Sequence, residues 1–316
     1  MMTPPETYSF ERYLDAKQSV DRWALNQRVE RRFFQELRQM GQRQPAPLCV
    51  VELGAGLGPT AKRVIAALEE EAAVHLEYVL VDSSPEVLRV ARERLSGWLE
   101  ERGYSREKPQ EANGRALQYR RKNHQIVFRF RAQELHDVVS RAQPGAFNAV
   151  IAQSVLDLTP VSTELAHIQG SIEQGGVFYS SLNFDGTTRF LPTSANDLTS
   201  AIVHEYHESM RRETEHGTTS GPDTGRELLA TFPTIGNVLA VGSSDWFVCP
   251  DGKNTYAEDE AYFLYHILKF VETEAQASPA ISSEKLASWL TTRRRQVQQG
   301  ELVFQAAQLD LLGRVG

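Results

Sequence analysis

Three glycines at alternate positions follow a short apolar run near the start of the chain. Gly54, Gly56 and Gly58 come directly after Leu48–Leu53, and Pro59 then suits the first turn of a helix. Glycine allows positive φ angles and a close approach of the backbone to a ligand. The free N–H groups at the start of a helix attract anionic and polar groups. Strand, glycine loop and helix in this order predict a site for a nucleotide-like cofactor.

A second apolar run, 78–82, ends in a carboxylate at Asp82, and Ser83 and a predicted helix over 86–99 follow it. In a doubly wound sheet, an acid at the carboxyl end of the second strand lies where ligands bind. An aspartate there can accept hydrogen bonds from both hydroxyls of a ribose. The alternative is that Asp82 only caps the following helix.

The glycine spacing separates two cofactor classes. The dinucleotide fingerprint G-x-G-x-x-G would place its third glycine where Pro59 stands. The run instead resembles motif I of the class I S-adenosylmethionine-dependent methyltransferases, E/D-x-G-x-G-x-G, with Glu52 as its opening acid. The resemblance implies that S-adenosyl-L-methionine is the cofactor. It also implies cofactor-binding roles for Glu52, Gly54, Ala55, Gly56, Gly58, Asp82 and Ser83.

A third segment, 125–131, has the residue alternation typical of a β-strand and is followed by Ala132 and Gln133. It resembles the third motif of the same family, in which a small residue meets the adenine. Ala132 fits that position. Arg131 departs from the pattern, because the family usually has an acid there. The resemblance assigns Ala132 and Gln133 to the cofactor site.

Two further segments continue the family order. Residues 147–158 resemble motif IV, a strand leading to the catalytic rim, and place Gln153 near the methyl group. Residues 175–183 resemble the strand that follows. The resemblance therefore covers about residues 48–183 and identifies fold and cofactor, whereas it is silent about the methyl acceptor.

The implied fold is an α/β, doubly wound, Rossmann-like sheet of seven mostly parallel strands with an antiparallel last strand, predicted at 302–307. We expect one methyltransferase domain over 1–316. Its predicted parts are an amino-terminal helical cap, the cofactor-binding core, a helical lid insertion and a carboxyl-terminal completion of the sheet, at 1–47, 48–183, 184–235 and 236–316.

The amino-terminal segment has the apolar periodicity of a helix over 9–40, with Gly41 as its stop. Tyr13 and Lys17 are four residues apart and share one face of that helix. The resemblance places such helices over the cofactor, where Lys17 would meet the methionyl carboxylate and Tyr13 would lie beside it. A plain surface lysine is the alternative.

The residues after 183 offer candidates for acceptor chemistry. His204 and His207 are spaced i, i+3 on one helical face, and together with Asp157 they are the candidate general bases, in the order His204, His207, Asp157. No third ligand accompanies the two histidines, so we predict no metal site. The candidates for the acceptor pocket are Asn183, Asp185, Asp245 and Trp246. A buried structural tryptophan is the alternative at Trp246.

A sulfonium methyl is already electrophilic, so the protein has to align an acceptor behind it and exclude water. Residues 152–155 read Ala-Gln-Ser-Val, not the Asn/Asp-Pro-Pro-aromatic of nucleic-acid amino methylases. We therefore predict methyl transfer to an O or N atom of a small molecule. Two alternatives stay open: an aminopropyl transferase of similar fold, and a catalytically silent S-adenosylmethionine-binding protein.

The composition narrows the possible partners. The formal net charge is −7, which disfavours a nucleic-acid partner, although several arginines crowd 115–131. No stretch approaches the roughly 18 apolar residues of a membrane span, and the first ten residues do not resemble a signal peptide. We expect a cytoplasmic protein without a membrane partner. Two cysteines, Cys49 and Cys249, support neither a disulfide framework nor a cysteine metal site. The oligomeric state stays open.

Overall fold

The computed structural model describes residues 4–43, 47–71, 73–107, 116–193 and 198–316. The helices are α1 (Phe10–Ala24), α2 (Gln27–Arg43), α3 (Pro59–Leu68), α4 (Pro85–Glu101), α5 (Leu135–Ser140), α6 (Val161–Ser171), α7 (Thr199–Ser209), α8 (Thr224–Thr231), α9 (Glu260–Gln276) and α10 (Ser283–Gln299). The strands are β1 (Leu48–Leu53), β2 (Val74–Asp82), β3 (Ser105–Glu107), β4 (Ala116–Arg121), β5 (His124–Ala132), β6 (Phe147–Gln153), β7 (Ile172–Leu191), β8 (Glu213–Thr214), β9 (Gly217–Thr218), β10 (Gly236–Ser243), β11 (Trp246–Val248) and β12 (Val303–Val315).

One large sheet runs through the molecule in the order β10-β12-β7-β6-β1-β2-β5-β4-β3, and β11 pairs with β12. The neighbouring pairs from β7 through β5 are parallel. β12 is antiparallel to both of its neighbours, β7 and β10. The predicted doubly wound sheet with an antiparallel last strand is confirmed.

Within the described residues, the sheet has ten strands instead of the predicted seven. The first extra strand, β4, comes from the arginine-rich segment and forms an antiparallel hairpin with β5. The second, β3, pairs with β4. Lys122 takes a positive φ of 52° at the hairpin turn. The third extra strand, β11, extends the other side. These additions lie outside the seven strands that resemble the family.

The central strands are buried on both faces, as parallel strands of such sheets are. In β1, Val50 packs with α2 residues such as Phe33, whereas its neighbour Val51 packs on the opposite face with Leu165 and Ile168 of α6. Because successive side chains of a strand point to opposite faces, the continuous apolar run of β1 fits a sheet covered by helices on both sides.

The prediction of one helix over 9–40 is wrong. α1 ends at Ala24, and α2 begins at Gln27 and continues through Gly41 to Arg43. Asn26 makes the break: its backbone N–H donates to Asp310 Oδ2 at 2.8 Å, and its side-chain oxygen accepts from the N–H of Val29 at 3.2 Å. The break directs α1 away from the sheet face covered by α2, to a position against α9 and β11.

A second hydrophobic cluster lies beside the sheet. It combines α1, α7, α9 and α10 around buried aromatic residues, including Phe190, Phe263, Trp289 and Phe304. β7 contributes because it continues to Leu191, well beyond the predicted end at 183. Within the described residues, none of the helices has the length and apolar composition that crossing a bilayer requires.

Candidate functional site

The glycine loop is bonded to the acid at the end of β2. The Gly56 N–H donates to Asp82 Oδ2 at 3.0 Å, and the Ser84 N–H donates to Asp82 Oδ1 at 3.0 Å. A carboxylate has about four acceptor positions, so these two bonds leave Asp82 with free lone pairs. The side chain of Ser84, not that of Asp82, caps α4, because it accepts from the Val87 N–H at 3.3 Å. The alternative that Asp82 is merely a helix cap is therefore wrong.

The three loop glycines face different surroundings. All have positive φ, at 67° for Gly54, 53° for Gly56 and 80° for Gly58. A Cβ on Gly54 would lie 2.8 Å from Val155, and one on Gly58 would lie 3.0 Å from Leu95. A Cβ on Gly56 would have no neighbour within 4 Å. The loop is thus packed at both ends and open at its middle, next to Asp82.

Glu52 lies beneath this loop and does not line its open side. Only 1% of the residue is exposed, and the Tyr78 hydroxyl donates to its Oε2 at 2.7 Å. Burial raises the pKa of Glu52 to about 7, although Tyr78, Thr60 and Arg63 act in the opposite direction. The opening acid of motif I therefore supports the loop from inside the protein.

The predicted adenine segment meets Asp82 at the rim. Ala132 is the register partner of Asp82 across β5 and β2, and the Gln133 N–H donates to the backbone oxygen of Asp82 at 3.2 Å. Ser83, Ala132 and Gln133 are all exposed. The structure brings these predicted cofactor residues together at one edge of the sheet.

Gln153 ends β6 in the middle of a buried polar network. Its Oε1 accepts from the Thr60 hydroxyl at 3.1 Å and from Arg63 Nη2 at 2.7 Å. Arg63 is held in turn by Glu30, whose Oε1 accepts from Arg63 Nε at 2.8 Å. The Gln153 amide nitrogen lies 3.5 Å from Asp21 Oδ2. Gln153 thus connects α3 to the amino-terminal helix α1.

Helix α1 lies across the carboxyl end of β6. Lys17 Nζ donates to Asp21 Oδ2 at 2.5 Å and to Ser154 Oγ at 3.1 Å. Trp246 Nε1 donates to Asp21 Oδ1 at 3.0 Å, and Lys17 Nζ lies 4.9 Å from the centre of the Trp246 ring. Asp21 therefore joins three predicted site residues, Lys17, Gln153 and Trp246. The sequence analysis missed Asp21, although its i, i+4 spacing from Lys17 was a usable signal.

Tyr13 belongs to the aromatic cluster behind α1. Its ring stacks on His266 with 4.5 Å between centroids and on Phe263 with 5.8 Å between centroids. Burial raises the pKa of Tyr13 well above its ordinary value. These contacts direct the Tyr13 ring toward α9 and not toward the glycine loop.

The three candidate bases lie in different surroundings. Asp157 is half-buried in a single 3₁₀ turn just after β6, where burial raises its pKa and the charge of Lys17 partly opposes this. His207 is also half-buried. Its Nε2 lies 2.9 Å from Thr188 Oγ1, and burial lowers its pKa to about 4. His204 is exposed on α7. Tyr206 lies between the two histidines in the sequence, and burial together with the charge of Asp157 raises its pKa.

Three of the four predicted acceptor residues are occupied by contacts within the protein. Asn183 is 2% exposed; its Nδ2 donates to the Leu309 carbonyl at 2.9 Å and its Oδ1 accepts from Ser180 at 2.7 Å. Asp185 pairs with Arg226 at 3.4 Å. Asp245 accepts from Ser243, Gln305 and the Gln308 N–H at 2.6 to 3.1 Å. Of this set, Trp246 alone is joined to the α1 contacts described above.

Residues 29–300 match the family described as "Putative S-adenosyl-L-methionine-dependent methyltransferase". The chain belongs to this methyltransferase family. The predicted enzyme class and the predicted cofactor, S-adenosyl-L-methionine, are thereby confirmed. Among curated proteins, none matches the methyltransferase.

Three solved structures are similar to this chain at low sequence identity and with TM-scores below 0.5. An S-adenosylmethionine-dependent methyltransferase from Thiobacillus denitrificans, in complex with S-adenosyl-L-homocysteine, is 13% identical with a TM-score of 0.44, covering 98% of this chain and 99% of its own. A geranyl diphosphate methyltransferase is 10% identical with a TM-score of 0.42, covering 89% and 76%. A phosphoethanolamine N-methyltransferase from Haemonchus contortus is 12% identical with a TM-score of 0.41, covering 98% and 59%. None of them bears on what this methyltransferase methylates.

Proposed function

We propose that the enzyme transfers the methyl group of S-adenosyl-L-methionine to an O or N atom of a small molecule bound between the carboxyl edge of the sheet and helix α1. The observation that carries this proposal is the cover over β6, formed by the contacts of Lys17 with Ser154 and of Asp21 with Gln153 and Trp246. A polymer laid across the sheet edge would have to displace this cover, whereas a small acceptor would not. The net charge of −7 also disfavours nucleic acid.

The described residues fit the cofactor. The open middle of the loop at Gly56 lets backbone approach its methionyl part, and Asp82 keeps free lone pairs for the two ribose hydroxyls. The exposed rim of Ser83, Ala132 and Gln133 lies on the adenine side. When bound, the cofactor supplies an electrophilic methyl group on a sulfonium. Gln153 and Lys17 then belong to the methionyl and methyl end.

The residues of the chain have positioning and proton-accepting tasks in this proposal. Lys17 Nζ donates to Asp21 and Ser154, and its third N–H would donate to the methionyl carboxylate. Asp157 is the preferred general base, because it follows β6 directly and feels the charge of Lys17. It would take the proton from an acceptor O–H or N–H onto a carboxylate oxygen. His207 is second, because its lowered pKa keeps it neutral at pH 7.

The proposal also gives a role to the helices of the second hydrophobic cluster. We assign residues 184–235, together with α1 and α9, to a cover over the acceptor, and residues 48–183 to cofactor binding. An aminopropyl transferase would need an acidic pair after β6 for a polyamine. Asp157 supplies one acid there, and the family assignment favours methyl transfer.

The test is a methyl-transfer screen with S-adenosyl-L-methionine carrying a labelled methyl group. The full chain is incubated separately with pools of hydroxylated and aminated metabolites, with unrelated proteins and with RNA. We expect label in a small-molecule pool, and less label with the Asp82→Ala variant, whose cofactor site is weakened. Label that enters only protein or RNA would contradict the proposed acceptor class, while leaving the methyltransferase activity itself intact.

A further inference from the structure

A cluster of metal-ligand side chains lies on the sheet face opposite α2, away from the glycine loop. His136 comes from α5, and Glu164 and His167 come from α6. One ligand atom from each residue lies within 4.8 Å of the other two. The two helices pack side by side over the cluster that contains Val138 and Leu165. The sequence analysis considered only His204 and His207 for a metal site and missed this group, because His136 lies 28 residues before Glu164.

One distance between ligand atoms in the cluster is shorter, and another is longer, than the separation expected in a zinc site. His136 Nδ1 lies 2.8 Å from Glu164 Oε1, and His167 Nδ1 lies 4.0 Å from Glu164 Oε2. With zinc–ligand bonds of about 2.0–2.1 Å, neighbouring ligand atoms of a tetrahedral site are roughly 3.3 Å apart. Small side-chain rotations would bring all three ligand atoms to that separation.

Two polar atoms in the cluster, 4.0 Å apart, are buried without a hydrogen-bond partner. Glu164 is 1% exposed, and its Oε2 has no hydrogen-bond partner among the described residues. The same holds for His167 Nδ1. Buried polar atoms are ordinarily satisfied, and unsatisfied ones in a native structure require an explanation such as an ion. A cation between the helices would satisfy both atoms at once.

His216, in the turn between β8 and β9, covers one side of the cluster. Its ring stacks on that of His136 with 3.6 Å between centroids and an interplanar angle of 12°. Gly217 leads the hairpin back along Pro160, just before α6. The hairpin therefore covers one face of the His136 ring.

We propose that His136, Glu164 and His167 bind one divalent transition-metal ion, with Zn²⁺ as the preferred ion. Two imidazoles and one carboxylate suit zinc, whereas Mg²⁺ prefers an all-oxygen set of ligands. Water would complete the fourth position. The ion fastens α5 to α6, and since α5 begins just after Gln133, it steadies the rim that leads to the adenine side.

The experiment is calorimetric titration of the untagged, chelator-treated full chain with ZnCl₂, and separately with MgCl₂. We expect one equivalent of zinc and no magnesium. Glu164→Gln keeps the size of the buried side chain, and His136→Ala with His167→Ala removes both imidazoles. Loss of supporting groups around a metal costs about 10–100-fold in affinity, and we expect at least that loss in both variants. His75→Ala, an exposed histidine outside the cluster, is the matched control and should bind zinc like the wild type.

Two further readouts keep the outcome decisive. Circular dichroism without metal shows whether each variant folds, and zinc should raise the melting temperature of the wild type but not of Glu164→Gln. Co²⁺ in place of zinc should give the visible absorption of a four-coordinate site in the wild type. The proposal is overturned if the folded wild type takes up no zinc, or if Glu164→Gln binds zinc with unchanged affinity.

Discussion

The backbone N–H of Gly56 and the carboxylate of Asp82 are joined by a hydrogen bond of 3.0 Å across 26 residues of sequence. This bond ties the middle of the glycine loop to the end of the neighbouring strand. It also helps to fix the Asp82 carboxylate beside Gly56, where an added Cβ would have no neighbour within 4 Å. One side chain thus fixes the loop, and in the proposed function it also offers acceptors to a ribose.

Replacing Asp82 by Ala should weaken binding of S-adenosyl-L-methionine. The change removes the ribose acceptor and leaves the Gly56 and Ser84 N–H groups without their partner, so we expect a loss of about 1–3 kcal/mol in binding free energy. Isothermal calorimetry measures the dissociation constant. Asp82→Asn keeps an acceptor oxygen and should lose less. A dissociation constant equal to that of the wild type would remove Asp82 from the ribose role.

Replacing Lys17 by Met should lower affinity for the cofactor by about tenfold, which corresponds to the roughly 1.4 kcal/mol of one charged contact. The change also removes the ammonium that pairs with Asp21 and lies 4.9 Å from the centre of the Trp246 ring. Lys253→Met, at an exposed site, is the matched control. Fluorescence titration with S-adenosyl-L-homocysteine reports both affinities. Equal losses in the two variants would point to a general charge effect and against a contact at Lys17.

Replacing Asp157 by Asn should reduce kcat by about 10²–10⁴-fold, the usual contribution of a general base. Binding of the cofactor should be unchanged. Because burial raises the pKa of Asp157, wild-type activity should be lost as the pH falls toward that raised value, and the variant should lack this acidic limb. Steady-state rates with the acceptor found in the screen test this, with Asp137→Asn as the control. Full activity in Asp157→Asn would exclude it as the base and favour His207.

The raised pKa of Glu52 predicts that the free energy of unfolding depends on pH. Its folded-state pKa is raised to about 7 from 4.5, so between these values the folded state holds a proton that the unfolded state releases. The contribution of Glu52 to the free energy of unfolding is therefore fully present below pH 4.5 and is lost as the pH rises through 7. Glu52→Gln is neutral throughout. It should gain about 1–3 kcal/mol relative to the wild type between pH 5 and pH 8.

Urea unfolding at the two ends of this pH range measures the difference in free energy of unfolding between Glu52→Gln and the wild type. Glu101→Gln, at an exposed position, serves as the control and should show no such trend. A constant difference in free energy of unfolding between Glu52→Gln and the wild type would show that Glu52 has the same protonation in both states.

Much of the fold was predictable because its signals are local. The strand, glycine loop and proline of 48–59 lie within one short segment, and the carboxylate at 82 ends an apolar run. The order of these segments then determines the sheet, since parallel strands joined by helices have few possible arrangements. The antiparallel last strand at β12 was predicted in the same way, although it extends further than expected, to Val315.

The parts that failed depend on long-range contacts. The break between α1 and α2 rests on the bond from Asn26 to Asp310, 284 residues away, whereas the apolar periodicity of the segment continues through the break. Asn183 was a candidate for the acceptor pocket because it ends a motif, but its amide is used within the sheet by Ser180 and Leu309. Local sequence shows neither which partners a polar side chain meets nor whether those partners satisfy it.

A crystal structure of the enzyme with S-adenosyl-L-homocysteine tests the assignment of the cofactor site most directly. We expect both ribose hydroxyls within hydrogen-bond distance of Asp82, about 2.6–3.0 Å, with the amino-acid end of the ligand against Gly56 and beneath Lys17. A ligand bound elsewhere, or a loop whose open side is filled by the protein's own side chains at saturating ligand, would contradict the assignment.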